Sequence, residues 1–224
     1  MNFFDFQELN AVSSIKEHVD IIKNNILSNS ISYPFVDKIN IVLNHFKYNN
    51  EQITIIKKKI QEAQNIQCFY DVIAELLVIY ESLDENAEFI KESGSETPDI
   101  KTDKYLIEVK RVRLSDDQII MIDELMSKKD EMIISTSTVA DVKKNDEPEA
   151  LNKKIKEKID KAIRQIGNKE GIIYIVFSLD LSGHYQDLNS RKKNFKCFCF
   201  NYFNSKHIKN IKLFVGDLND IIQY

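Results

Sequence analysis

The fold turns on the stretch Pro98-Asp99-Ile100-Lys101-Thr102-Asp103-Lys104-Tyr105-Leu106-Ile107-Glu108-Val109-Lys110. Its middle, Thr102-Asp103, reads as a tight turn. The turn joins two strands, Pro98-Asp99-Ile100 and Lys104 to Arg113. Pro98 cannot donate to a sheet ladder, so it marks a strand start or edge. Side chains alternate along a strand. Tyr105, Ile107 and Val109 therefore face one side, expected to be the core, and Glu108 and Lys110 share the other. Alone, such a Glu-x-Lys reads as a surface ion pair, or as a metal ligand beside a charge that holds a water. Eight residues lie between Asp99 and Glu108, and a hairpin fills that gap. Closing it brings two carboxylates together, which is costly unless a cation neutralises them. Mg²⁺ suits such a pair: it is hard, prefers oxygen and keeps several waters.

A third acid lies upstream in a helical stretch, Tyr70-Asp71-Val72-Ile73-Ala74-Glu75-Leu76-Leu77-Val78-Ile79-Tyr80. Three of the four helical neighbours of Glu75 are apolar (Val72, Val78 and Ile79, with Asp71 the fourth), so it sits on a largely buried face. A charge there needs a partner, either a core-facing Lys or Arg or a cation.

Around this centre, residues 5 to about 83 read as helical, through Val19, Ile22, Ile26, Val36, Ile39, Val42 and Phe46. Tyr33-Pro34 separates two of these helices, and helical spacing resumes from Ile53 to Tyr80. Ala87 to Glu92 reads as extended and Ser93-Gly94-Ser95 as a turn. Residues 116–129 suit a helix, and 135–150 an exposed loop. Leu151 to Ile166 is a basic amphipathic helix ended near Gly167. The apolar run 171–177 suits a strand buried on both faces, and 195–203 and 211–215 read as further strands. The expectation is an α/β fold with a mixed sheet: a helical N-terminal lobe over 1–64 and a core over 65–224.

The pattern Glu75 … Pro98-Asp99 … Glu108-Val109-Lys110 resembles the PD-(D/E)xK nuclease superfamily, with its restriction-endonuclease-like fold. That family's core is a helix, a three-stranded meander, a second helix and another strand. The order expected over residues 65 to 178 matches it. The resemblance implies that Asp99 and Glu108 ligate Mg²⁺ (with Mn²⁺ able to substitute), helped by the Val109 carbonyl. Lys110 would position or deprotonate the attacking water, and Glu75 would bind metal-bound water or a second ion. It implies a DNA endonuclease of restriction or antiviral-defence type, with DNA as partner and a homodimer formed through the helical lobe. The alternative is a nucleic-acid-binding or assembly protein that keeps the fold without catalysis.

Composition narrows the field. The 224 residues carry 31 Lys+Arg against 35 Asp+Glu, which excludes a polybasic, non-specific binder. The balance is uneven: residues 1–100 hold 8 basic and 16 acidic side chains, residues 101–224 hold 23 and 19. The five glycines are too scattered for a dinucleotide-binding or Walker-type loop. Three cysteines form no disulfide framework, and no signal peptide or membrane span is evident, so a cytoplasmic setting is expected. Cys197-x-Cys199 with His184 and His207 lacks the spacing of a zinc site. Lys161 and Gln165 on the basic helix, Arg111 and Arg113 on the strand, and the run 191–196 are candidates for phosphate contact or for solvated surface.

Overall fold

Apolar residues at three- and four-residue steps build four helices before the sheet begins. The computed structural model describes residues 1–29, 33–91, 97–112, 148–177 and 188–217. Helix α1 (Ser13–Leu27) buries Ile15, Val19 and Ile22. Helix α2 (Pro34–His45) starts on Pro34, whose fixed φ and missing N–H suit a first turn, and buries Val36, Ile39, Val42 and Leu43. The helical run expected from Ile53 to Tyr80 divides into α3 (Asn50–Glu62) and α4 (Ile66–Glu81). At the break Asn65 caps the new helix, accepting from the Cys68 amide at 2.9 Å, as Asn49 caps the start of α3 by accepting from the Gln52 amide at 3.2 Å.

Five strands follow in spatial order: β1 (Glu88–Phe89), β2 (Ile100–Lys101), β3 (Leu106–Val112), β4 (Gly171–Phe177) and β5 (Ile211–Asp217). β1, β2 and β3 pair antiparallel; β3, β4 and β5 pair parallel. Parallel neighbours need crossovers, supplied by α5 (Pro148–Ile166) and α6 (Leu188–Asn204). The fold is therefore mixed α/β, a five-stranded mixed sheet flanked by helices. The hairpin turn forms as expected, the Thr102 amide donating to the Tyr105 carbonyl at 2.8 Å. Helix α5 ends at Gly167, whose φ of 66° is the left-handed cap that glycine adopts without strain.

Both faces of the sheet are covered. Ile107, Val109, Ile172 and Val176 pack with α1 to α4 in one cluster, which runs across residues 64 and 65. Val112, Ile173 and Ile175 pack with α5 and α6 in the other. The alternation expected in β3 holds, but Glu108 is fully buried because its face also lies under helices. At the β1 edge, buried Gln52 acts as a strand partner: its Nε2 donates to the Phe89 carbonyl at 3.1 Å and its Oε1 accepts from the Phe89 amide at 2.9 Å.

One expectation fails outright. Residues 195–203 are not a strand but part of α6. The alternation Cys197-Phe198-Cys199-Phe200 mimics a period of two. The buried set is Phe195, Cys199 and Phe203, four residues apart, the helical period. The 211–215 strand is present as β5. The helix expected at 116–129, the turn at 93–95 and most of the 135–150 loop lie outside the described residues; 148–150 begin α5. Among the described residues no helix is long and apolar enough to cross a membrane.

Candidate active cleft

β2 holds only two residues, so its ladder with β3 ends at the pair Ile100–Ile107. Side chains then take over the bonds that the next pair would make. The Asp99 amide donates to Glu108 Oε2 at 3.2 Å, and the Val109 amide donates to Asp99 Oδ2 at 2.9 Å. The Asp99 carbonyl accepts from the Ile90 amide at 3.0 Å, which holds the residue from the β1 side. Both carboxylates are thus aimed by backbone hydrogen bonds at the splayed mouth of the hairpin. N–H and C=O of one strand residue leave on the same edge. The Val109 carbonyl accordingly faces the same gap as its amide.

Lys110 joins them. Its Nζ contacts Glu108 Oε1 and lies 4.0 Å from Asp99 Oδ2. Burial pushes the Lys110 ammonium below its ordinary pKa, and the charge of Lys161 adds to this, against the pull of Asp99. The hairpin therefore brings Asp99, Glu108 and Lys110 together as the sequence predicts.

A cleft of about 420 Å³ opens beside this part of β3. Val109, Lys110 and Arg111 form its floor. Asp71 and Glu75 border it from α4, on one face of the sheet. Lys154, Glu157, Lys158 and Lys161 border it from α5, on the other. Gln165 does not line the cleft. It ties α5 to the segment before Asp99, its Nε2 donating to the Thr97 carbonyl at 3.1 Å.

Glu75 also reaches the cleft, but with a partner that the sequence does not reveal. Lys59 of α3 lies 3.0 Å from Glu75 Oε2, both side chains largely buried, without an aligned hydrogen bond to that oxygen. Burial and the nearby Asp99 charge raise the Glu75 pKa to about 7, with Lys59 acting in the opposite direction. Lys59 is the first of two residues missed by sequence reasoning. Its helix shows the site only as one of three consecutive lysines, 57–59.

The second is Arg111 in its actual role. It is neither a surface residue nor open to phosphate: its side chain is fully buried. Its Nε donates to Asp71 Oδ1 at 2.7 Å, and one terminal nitrogen donates to the Gln67 carbonyl and, at 2.8 Å, to Gln67 Oε1. Arg111 clamps β3 to α4. Alternation puts Arg111 on the face of Ile107 and Val109, the one expected to be the core; it is the charge of the side chain, not its place in the strand, that suggests phosphate contact or solvated surface. Arg113 and residues 191–192 lie outside what the structure describes of side chains.

Cys197 and Cys199 lie on α6, and His184 lies outside the described residues. Cys197 is exposed and Cys199 buried on α6, and burial pushes the Cys199 thiol up to about 12. Among the described residues no three His, Cys, Asp or Glu side chains converge closely enough to hold a metal ion as they stand. No protein-family model matches the chain, and neither does any curated protein or solved structure.

Proposed function

We propose that the protein is a Mg²⁺-dependent nuclease that hydrolyses phosphodiester bonds of DNA, an endonuclease of restriction or antiviral-defence type with a PD-(D/E)xK core. One observation carries this reading. Where the β2–β3 ladder gives out, Asp99 and Glu108 replace its hydrogen bonds with their carboxylates, beside Lys110 and at the mouth of a cleft. Support also comes from the element order α4, β1–β2–β3, α5, β4, which is the order the family resemblance implies.

The donors fit a hard cation. Two carboxylates held by backbone amides offer oxygens of the right kind, and the Val109 carbonyl faces the same gap. Asp99, Glu108 and Val109 would hold Mg²⁺, with Glu75 reaching metal-bound water or a second ion. Bound there, Mg²⁺ would make a water easier to deprotonate and would offset charge on the phosphoryl oxygens. Lys110 orients the attacking water and, with its pKa depressed, suits a proton-handling task. Lys154, Lys158 and Lys161 face the substrate backbone across the cleft. Cutting both strands calls for two such sites, and exposed Leu27, Ile41 and Tyr48 give the helical lobe apolar surface for a homodimer.

The test is incubation of the purified protein with circular and linear DNA and Mg²⁺. The wild type should open circular DNA, and Asp99→Ala and Lys110→Ala should lower cleavage by at least about a thousandfold while remaining folded. Wild-type rates from either variant would sink the proposal.

A second reading has its own support. Lys110, Lys59 and Arg111 already pair with the acids of the cleft, leaving little charge for a metal to offset. That is the pattern of a non-catalytic nucleic-acid-binding or assembly protein. A folded wild type that Mg²⁺ and Mn²⁺ fail to stabilise in a thermal melt would favour it.

A further inference from the structure

Arg111 and Asp71 form a pair whose position is unusual for a simple structural clamp. Asp71 and Glu75 are four residues apart on α4, hence on one face of that helix, and both border the cleft. Asp71 remains partly exposed there, 29% of its side chain being open to solvent. Arg111 follows Lys110 directly on β3 and is wholly enclosed. The cleft wall therefore carries a carboxylate beside the candidate cation site, and the strand that builds that site supplies its counter-charge. Asp71 and Glu75 line the same cleft, so their charges act on the same space.

We propose that Arg111 is a positioning residue that sets the charge of the cation site: by holding Asp71, it limits the carboxylates offered to a divalent ion to Asp99, Glu108 and Glu75. The inference rests on the metal-dependent reading above and adds a residue to it. A simple clamp would hold α4 against β3 whatever its charge. A charge-setting residue ties cation affinity to the sum of the charges at 71 and 111.

The chemistry makes the two single variants move in opposite directions. Arg111→Met removes the guanidinium and leaves the Asp71 charge unopposed by it. Asp71→Asn keeps an oxygen that accepts from Arg111 Nε but leaves the guanidinium charge unopposed by Asp71. A unit charge several ångströms from a divalent ion, partly screened, changes affinity by at least about fivefold. Mn²⁺ alone, titrated by calorimetry and by thermal melt, is the probe, so no cleavage is required.

The expected result is tighter Mn²⁺ binding in Arg111→Met, weaker binding in Asp71→Asn, and affinity within about twofold of wild type in the double variant. Arg111→Lys keeps the charge and should bind Mn²⁺ like the wild type even if its clamp is looser. Should Arg111→Met not fold, Asp71→Asn and Arg111→Lys still decide the matter. A wild type that binds Mn²⁺ through Asp99, with Asp71→Asn no weaker, overturns this inference alone. A folded wild type that does not bind Mn²⁺ overturns the metal-dependent reading together with it.

Discussion

The two helices that wall the cleft carry charge in opposite ways. On α4, the acids are partnered from behind: Asp71 by Arg111 and Glu75 by Lys59, whose side chains are enclosed by protein. On α5, Lys154, Glu157 and Lys161 stand exposed, with Lys158 half-buried. The α4 charges have lost most of their hydration, so each needs a fixed partner, and the pairs hold geometry. The α5 charges keep their water, so they cost little and respond to salt. One wall is built for position and the other for attraction. Under the proposed nuclease function, a polyanion would be drawn in along α5 and presented to groups held between α4 and β3.

Breaking the α4 wall should give the largest change. Lys59→Met leaves Glu75 buried without its cation and should cost about 3 kcal/mol at pH 8 in metal-free buffer, read as a lowered denaturant midpoint. The cost should shrink towards pH 5, because Glu75, with its pKa raised to about 7, is then protonated in the wild type too. Glu75→Gln separates charge from packing. The folded state holds the Glu75 proton more tightly than the unfolded chain does, so wild-type stability falls as pH rises from about 4.5 to 7. The Gln variant lacks that loss. It should match the wild type near pH 5 and exceed it at pH 8. Parallel stability profiles would remove Glu75 from the enclosed, charge-strained class.

The same contrast explains what can be read from sequence. The hairpin is readable because its determinants are local: a proline, a turn and strict alternation within thirteen residues, 98–110. Asp99, Glu108 and Lys110 follow from it. Glu75 is readable as a charge on an apolar face, but its partner is not. Lys59 lies sixteen residues earlier on another helix, and only tertiary packing selects it from the run 57–59. Arg111 is misplaced by a reading that follows its charge, because alternation already puts it with Ile107 and Val109 on the core face. β3 lies between two helical layers, and Arg111 is enclosed on the α4 side. The α6 error has another origin. Alternating cysteine and phenylalanine satisfies the strand template over a few residues, and only the longer window from Phe195 to Phe203 reveals the helical stripe.

The α5 wall should yield a smaller, salt-dependent effect. Lys154→Ala with Lys158→Ala should leave the fold and its melting temperature nearly unchanged. Oligonucleotide binding, measured on the Asp99→Ala background to prevent cleavage, should weaken. The slope of log affinity against log salt should become shallower by about 2, roughly one unit for each phosphate that a lysine no longer neutralises. An unchanged slope would make this wall ordinary solvated surface and break the contrast with α4. Comparing single- and double-stranded oligonucleotides shows which form the wall follows.

The smallest effect sets the baseline for the comparison. Lys58 neighbours Lys59 in sequence but points to solvent, pairing with Glu62 at 3.6 Å with both side chains about two-thirds exposed. An i, i+4 pair of that kind contributes about 0.3 kcal/mol and fades with salt. Lys58→Met should therefore change stability by no more than about 0.5 kcal/mol, equally at pH 5 and pH 8. The two neighbouring lysines receive the same substitution, so any general effect of losing a positive charge from α3 appears in both. What remains in Lys59→Met is the contribution of burial and of Glu75. A Lys58→Met loss as large and as pH-dependent as that of Lys59→Met would show that the lobe senses its total charge rather than one enclosed pair.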